Sequence, residues 1–247
     1  MGIKALKKDI SVAIRARYPV LYVVSWEESR IEAALKEVAS KLNKQVYFWS
    51  CTAGFDNESL NREEGSKVNP ALDRVVESPE RAVFVFKDLH AFLDDHRAIR
   101  KLRDVADHLR RSYKTVVILS PVLKIPVELE KDITVFDAPL PDVEEMEGIL
   151  RNFLDAVSAN PSVEVAWDEV LVERVVKACL GLTANEAENV LAKALVSDRS
   201  FSIEDLPDII DAKKQIIRKS GMLEYYELGE SMDNVGGLDV LKQWLAN

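Results

Sequence analysis

Cysteine is scarce in this chain: 247 residues carry only Cys51 and Cys179. Two thiols so far apart build neither a disulfide framework nor a zinc site of paired cysteines, and both are expected to be buried, reduced thiols. Long apolar runs are missing too, and none approaches the roughly 20 residues of a bilayer span, so no membrane span is expected. The opening residues lack the apolar stretch of a signal peptide, and Leu6 stands where a myristoylation motif needs serine or threonine. Positive charge is in deficit, with 33 Lys and Arg against 42 Asp and Glu and a net charge of −9. That balance makes nucleic acid or an acidic membrane surface an unpromising partner. No repeat, low-complexity segment, nucleophile elbow, zinc or dinucleotide pattern occurs.

What is present is a 47% hydrophobic chain with ample material for a core. Its organising stretch is Val83, Phe84, Val85 and Phe86, followed by Lys87 and Asp88. An unbroken apolar run of this kind reads as a fully buried parallel strand. A carboxylate at the carboxyl end of such a strand stands where open α/β sheets bind ligands. Further strands are read at residues 20–25, 45–51, 115–120 and 133–136. Helices are read at residues 4–17, 29–42 and 91–113, with a short one opened by Pro70. Residues 52–69 read as a surface loop. Strands alternating with helices imply a five-stranded parallel sheet with helices on both faces.

The pattern changes at Pro139 to Asp142. From there to Gly221 only helices are read, at residues 142–158, 168–180, 184–197 and 203–219. Thr183 with Glu186 forms a capping box for the third, and Ser202 with Asp205 a weaker one for the fourth. The expected division is an α/β domain over residues 1–140, a small all-α lid over 141–220, and a linker with a lead-in segment over 221–247.

A five-stranded α/β domain followed by a four-helix lid resembles the layout of the AAA ATPases, a branch of the P-loop nucleotide hydrolases. That resemblance implies a glycine-rich phosphate loop after the first strand. The residues there are Ser25, Trp26, Glu27, Glu28, Ser29 and Arg30. Without glycine the backbone N–H groups have no loop to wrap phosphates, lysine is absent, and the two carboxylates would repel them. Gly65-Ser66-Lys67 is a lookalike with Leu60 where a glycine is needed. The third strand should end in a magnesium-binding Asp and a water-activating Glu, but Leu89 follows Asp88. Ser120 holds the sensor position at the end of the fourth strand. Residues 115–141 contain no arginine for a neighbour's site, and Gly181 to Val190 contain none for the lid. Asp88 and Ser120 thus read as vestigial positions: no catalytic residue, no metal ligand and no cofactor is expected in this chain.

Two alternatives remain open. One is a cryptic nucleotide-binding enzyme using Asp88 and His90 for metal and water. The other is a weak single-stranded nucleic-acid binder through the helix bearing Arg97 and ending near Lys114. Asp94, Asp95, Asp104 and Asp107 interleave with its cations, as intrahelical pairing would require. Asp94, Asp95 and His96 are adjacent and point to different faces of a helix, so a metal site is not expected.

The resemblance narrows on particular residues: Ile14 through Val23, Glu27-Glu28 with Arg30, Val46 through Trp49, and Asn69-Pro70-Ala71-Leu72. Val83 through Phe92, Arg100 through Arg103, Ile125-Pro126 and Pro139-Leu140-Pro141 belong to it as well. These are similar to the amino-terminal, degenerate AAA half of an AAA-domain family encoded by a plastid hypothetical reading frame, with cyanobacterial and other bacterial relatives. The resemblance implies that an intact AAA domain follows, carrying the ATP and magnesium. Gly236 and Gly237, then Leu238, Leu241 and Trp244, resemble the segment leading into such a domain and are expected to dock against it. The implied role is a non-catalytic module that scaffolds, docks partners for, or regulates that ATPase. Its partners would be the downstream domain, an unknown client and other copies in a full-length oligomer. It would work in the cytoplasm, or in the stroma where plastid-encoded.

Overall fold

A computed structural model describes residues 2–56, 66–158, 164–165, 168–198 and 200–219. The chain begins α1 (Ile3–Arg15), β1 (Val20–Val24), α2 (Glu28–Lys41), β2 (Gln45–Ser50) and β3 (Gly54–Phe55). It continues α3 (Val68–Glu77), β4 (Ala82–Lys87), α4 (His96–Leu109), β5 (Thr115–Ser120) and β6 (Ile133–Asp137). Then come α5 (Val143–Ser158), β7 (Glu164–Val165), α6 (Glu169–Cys179), α7 (Ala184–Asp198), β8 (Ser200–Phe201) and α8 (Leu206–Lys219).

The sheet order is β3-β2-β4-β5-β1-β6. Strands β1, β4 and β5 are continuously apolar and buried, and they occupy inner positions. β6, in which Ile133 is buried while Val135 and Asp137 are exposed, closes one edge. Alternate residues serve opposite faces. Val20, Tyr22, Phe84 and Phe86 pack against α3 and α4 through Leu72, Leu102 and Leu109. Leu21, Val23, Val83 and Val85 pack against α1 and α2 through Ile10, Ile31 and Leu35.

Strands β2, β4, β5, β1 and β6 are mutually parallel, as expected. The sheet nevertheless has a sixth strand, β3, inside the stretch read as a surface loop. Gly54 at φ 73 turns the chain back antiparallel onto β2. Phe55 is then buried with its ring centroid 5.8 Å from that of Phe84 and 5.6 Å from that of Phe86. The helix read over residues 91–113 is also shorter. A 3-10 turn (Leu89–Phe92) precedes α4, which starts afresh because Asp95 accepts from the Arg97 N–H at 2.8 Å as its N-cap. Asp94 meanwhile pairs with Lys124 at 2.5 Å.

Helices α5 to α8 enclose a core of their own, with Leu150, Leu154, Leu171, Val175, Leu191 and Ile209. This region is not purely helical: β7 and β8 pair in parallel, and buried Phe201 meets Phe153 with centroids 6.0 Å apart. Both capping boxes form. Glu186 accepts from the Thr183 N–H at 2.9 Å while Thr183 Oγ1 accepts from the Glu186 N–H at 3.2 Å. The Ser202 and Asp205 box opens a 3-10 turn running into α8.

Cys179 is buried as expected, and burial pushes its thiol up to about 11. Cys51 is exposed, which corrects the expectation. It lies just past the end of β2, where the chain turns before β3. Gly65 and the tail with Gly236, Gly237, Leu238, Leu241 and Trp244 lie outside the described residues. Among the described residues, no helix is long and apolar enough to cross a membrane.

Candidate functional site

The chain leaves the carboxyl ends of neighbouring β1 and β5 in opposite directions, toward β2 and toward β6. The crevice beyond those ends is the topological switch point, where open α/β sheets take ligands. Asp88, His90, Ser120 and the turn from Ser25 to Glu28 all come to it.

Asp88 ends β4 in the left-handed region at φ 53, a conformation aspartate tolerates better than most residues. Its N–H donates to the Leu119 carbonyl at 2.9 Å, and its carboxylate is about half exposed. The reversal sends Leu89 into the core, fully buried, so the residue beside Asp88 presents no polar group to the crevice. His90 returns toward the sheet, with Nδ1 2.6 Å from Ser120 Oγ and 3.8 Å from Asp88 Oδ1. Ser120 is itself buried, and its carbonyl accepts from the Ser25 N–H at 2.9 Å. The structure thus gathers Asp88, His90 and Ser120 into one cluster. Asp95 Oδ1 lies 3.9 Å from His96 Nδ1, but Asp94 turns to Lys124, so the three do not gather into one cluster. Among the described residues, no three or more His, Cys, Asp or Glu gather as metal ligands would.

The turn between β1 and α2 is where the layout calls for a phosphate loop. There the Glu27 N–H is taken by Ser25 Oγ at 3.0 Å. The Glu27 side chain does not cap its own helix. It is buried, 5% exposed, and reaches across to the helical part. Oε1 accepts from the Ala184 N–H at 2.6 Å, at the amino end of α7. Oε2 accepts from Arg30 at 2.7 Å. A helix amino terminus presents unpaired N–H groups and a positive dipole end, which favours an anion. Here the chain supplies that anion itself.

Arg30 completes the arrangement. Its guanidinium forks onto Glu145 of α5, with Nη2 3.0 Å from each carboxylate oxygen and Nε 3.1 Å from Oε1. Nη1 also donates to the Pro139 carbonyl at 2.7 Å. Glu27, Arg30 and Glu145 therefore tie the end of β1, the segment before α5, and the helices α5 and α7 together. Glu28, by contrast, faces Lys87 at 2.7 Å, and Glu32 pairs with the same ammonium. Burial works against the Lys87 charge, but the bonds to Glu28 and Glu32 outweigh it and raise its pKa. Lys87 therefore stays charged at the carboxyl end of β4, with two carboxylates as its counter-charge.

The sequence reading placed Glu27 and Glu28 in the right turn and missed this clamp. A carboxylate at a phosphate position signals repulsion of phosphate, and nothing local reveals a partner N–H at residue 184. The i, i+3 spacing of Glu27 and Arg30 was the one available sign. Of the cations in this stretch, Arg100 pairs within α4 with Asp104 as expected, whereas Lys101 reaches Asp73 of α3 and Arg110, just past α4, reaches Asp132.

Residues 6–138 match the family model of the SpoVK-like AAA ATPase N-terminal domain, and residues 144–220 match its second domain. The AAA domain-containing protein ycf46 of Trieres chinensis is 33% identical over 242 residues, covering 96% of this chain and 47% of that protein. Its counterpart in Pyropia yezoensis is 32% identical, over 96% of this chain and 48% of its own length. The chain thus spans about half the length of the curated relatives it matches. Among solved structures, C. elegans PCH-2 superposes with a TM-score of 0.58 at 10% identity, covering 88% of this chain and 69% of that one. A chain of the E. coli MS115-1 HORMA:CdnC:Trip13 complex superposes with a TM-score of 0.56 at 11% identity, covering 85% of this chain and 88% of that one. At these identities the likeness is one of fold. The sequence matches carry the family: this chain belongs to the SpoVK-like AAA ATPases.

Proposed function

We propose that this chain is a non-catalytic AAA module that scaffolds or regulates an ATPase domain of the same protein. The observation that carries this reading is the Glu27 carboxylate in the switch-point crevice, buried and bonded to both Arg30 and the amino end of α7. A nucleotide phosphate seeking that helix end would meet a negative charge already bonded there. Leu89, buried beside Asp88, supplies no base for water. The greater length of the relatives supports a further domain, which would bring the ATP and magnesium. Such a module would present a base and lid held in one arrangement to that domain or to a client.

Calorimetric titration of magnesium-ATP into the chain tests the reading. No sub-millimolar binding and no turnover are expected, and Asp88→Ala should change neither. Sub-millimolar binding, or hydrolysis lost in Asp88→Ala, would overturn it. Those results would instead support a cryptic site built on Asp88, His90 and Ser120, whose 2.6 Å contact between His90 and Ser120 is the observation in its favour.

A further inference from the structure

The parallel strands β2, β4, β5 and β1 share a second pole at their amino ends, opposite the crevice. A cation precedes each: Lys44 before β2, Arg81 before β4, Lys114 before β5 and Arg17 shortly before β1. Lys114 is used internally, donating to the carbonyls of Val76 at 2.7 Å and Ser78 at 2.9 Å. The other three converge on Tyr113. The guanidinium carbons of Arg17 and Arg81 lie 4.5 and 4.4 Å from its ring centroid, and Lys44 donates to its carbonyl.

Among the described residues these three cations have no carboxylate partner, whereas the cations of the crevice and of α4 are largely paired. The nearest acid in sequence, Glu80, accepts from the Tyr47 hydroxyl instead. Arg17 also adopts φ 60, a left-handed conformation that glycine would hold without strain. A bulky cation is kept there, exposed, beside a ring that is 50% exposed. Lys44 has its pKa lowered by burial and then by Arg81, as expected of like charges held together without a counter-charge.

We infer that this pole is a docking site for an acidic peptide segment of a partner protein, whose carboxylates bridge Arg17 and Arg81. Guanidinium forks match carboxylates in shape and bond count. The chain as a whole carries a net charge of −9, so a short acidic segment reaching this one cationic cluster suits it better than a long polyanion. The Tyr113 ring is already engaged by guanidinium groups rather than left as a stacking platform for bases. A strand's length, about 17–20 Å, separates the pole from the crevice, so this site stands independently of the nucleotide question.

Anisotropy of a fluorescein-labelled hexaglutamate peptide, titrated with the chain at low and at physiological salt, tests it. Saturable binding is expected, weakened about tenfold by Arg81→Gln and by Arg17→Gly. It should be unchanged in Arg103→Gln, an exposed α4 cation outside the cluster. Arg17→Gly relieves the left-handed strain, so an unlowered melting midpoint with lost binding separates docking from folding. Absence of saturable binding, or equal affinity in all variants, would overturn the proposal. So would tighter binding of an oligothymidylate lost on the same substitutions, which would assign the pole to nucleic acid.

Discussion

Replacing Glu27 by glutamine removes one charge from the clamp while keeping its shape. In the parent, Glu27 accepts two charge-assisted bonds, from Ala184 at 2.6 Å and from Arg30 at 2.7 Å. Bonds to charged groups contribute about 1.5–3 kcal/mol each, and neutral ones about 1 kcal/mol. Glutamine keeps one acceptor, which can hold Ala184 through a neutral bond, but turns an NH2 toward the Arg30 guanidinium and loses that bond. The expected loss is therefore about 2–5 kcal/mol, a large share of the roughly 5–15 kcal/mol that stabilises a typical domain. Amide hydrogen exchange at Ala184 reads this directly. Loss of protection by about 25-fold or more corresponds to the lower end of that range. Arg30→Ala should cost more, about 3–5 kcal/mol, because it strands both Glu27 and Glu145 without a counter-charge. The double variant should cost less than the sum, since the residues share one network. Exchange at Ala184 that stays within about threefold of the parent in Glu27→Gln would refute the clamp as a tie between sheet and α7.

Two further expectations concern titration. Burial raises the Cys179 thiol to about 11. Its contribution is therefore complete below the ordinary thiol value and disappears as pH rises through about 11, and stability in urea should fall over that window unless Cys179→Ala is made. In the native chain iodoacetamide should label exposed Cys51 and spare Cys179. Glu37, bonded to Lys41 and to Lys7, is held at about 2 against an ordinary 4.5. Its contribution is present above the ordinary value and is lost as pH falls through about 2, so Glu37→Gln should flatten the acid limb of a melting-midpoint profile.

The inner strands were legible because full burial on both faces demands continuous apolar sequence, as Val83 to Phe86 and Val116 to Leu119 show. The capping boxes were legible because each is a local hydrogen-bond exchange within four residues. What escaped was short or distant. β3 and β7 are too brief to carry a period-2 pattern, and β3 exists because Phe55 finds Phe84 and Phe86 across the sheet. The break before α4 hung on Asp95 serving as a cap within a run that reads as continuous helix. Asp88, His90 and Ser120 were each singled out from their strand ends, but their meeting depends on β4 and β5 being neighbours. The role of Glu27 depends on a partner N–H 157 positions away, which no window of local sequence contains.

The crevice carboxylate has a consequence for timing. A nucleotide occupies its site in proportion to its concentration and departs when hydrolysed. Glu27 is covalently part of the turn it serves, so its effective concentration at α7 is set by chain geometry alone. Mass action from the surrounding solution therefore has no direct hold on this contact. The sheet-to-helix tie at α7 is therefore as permanent as the fold itself and does not come and go with any solute.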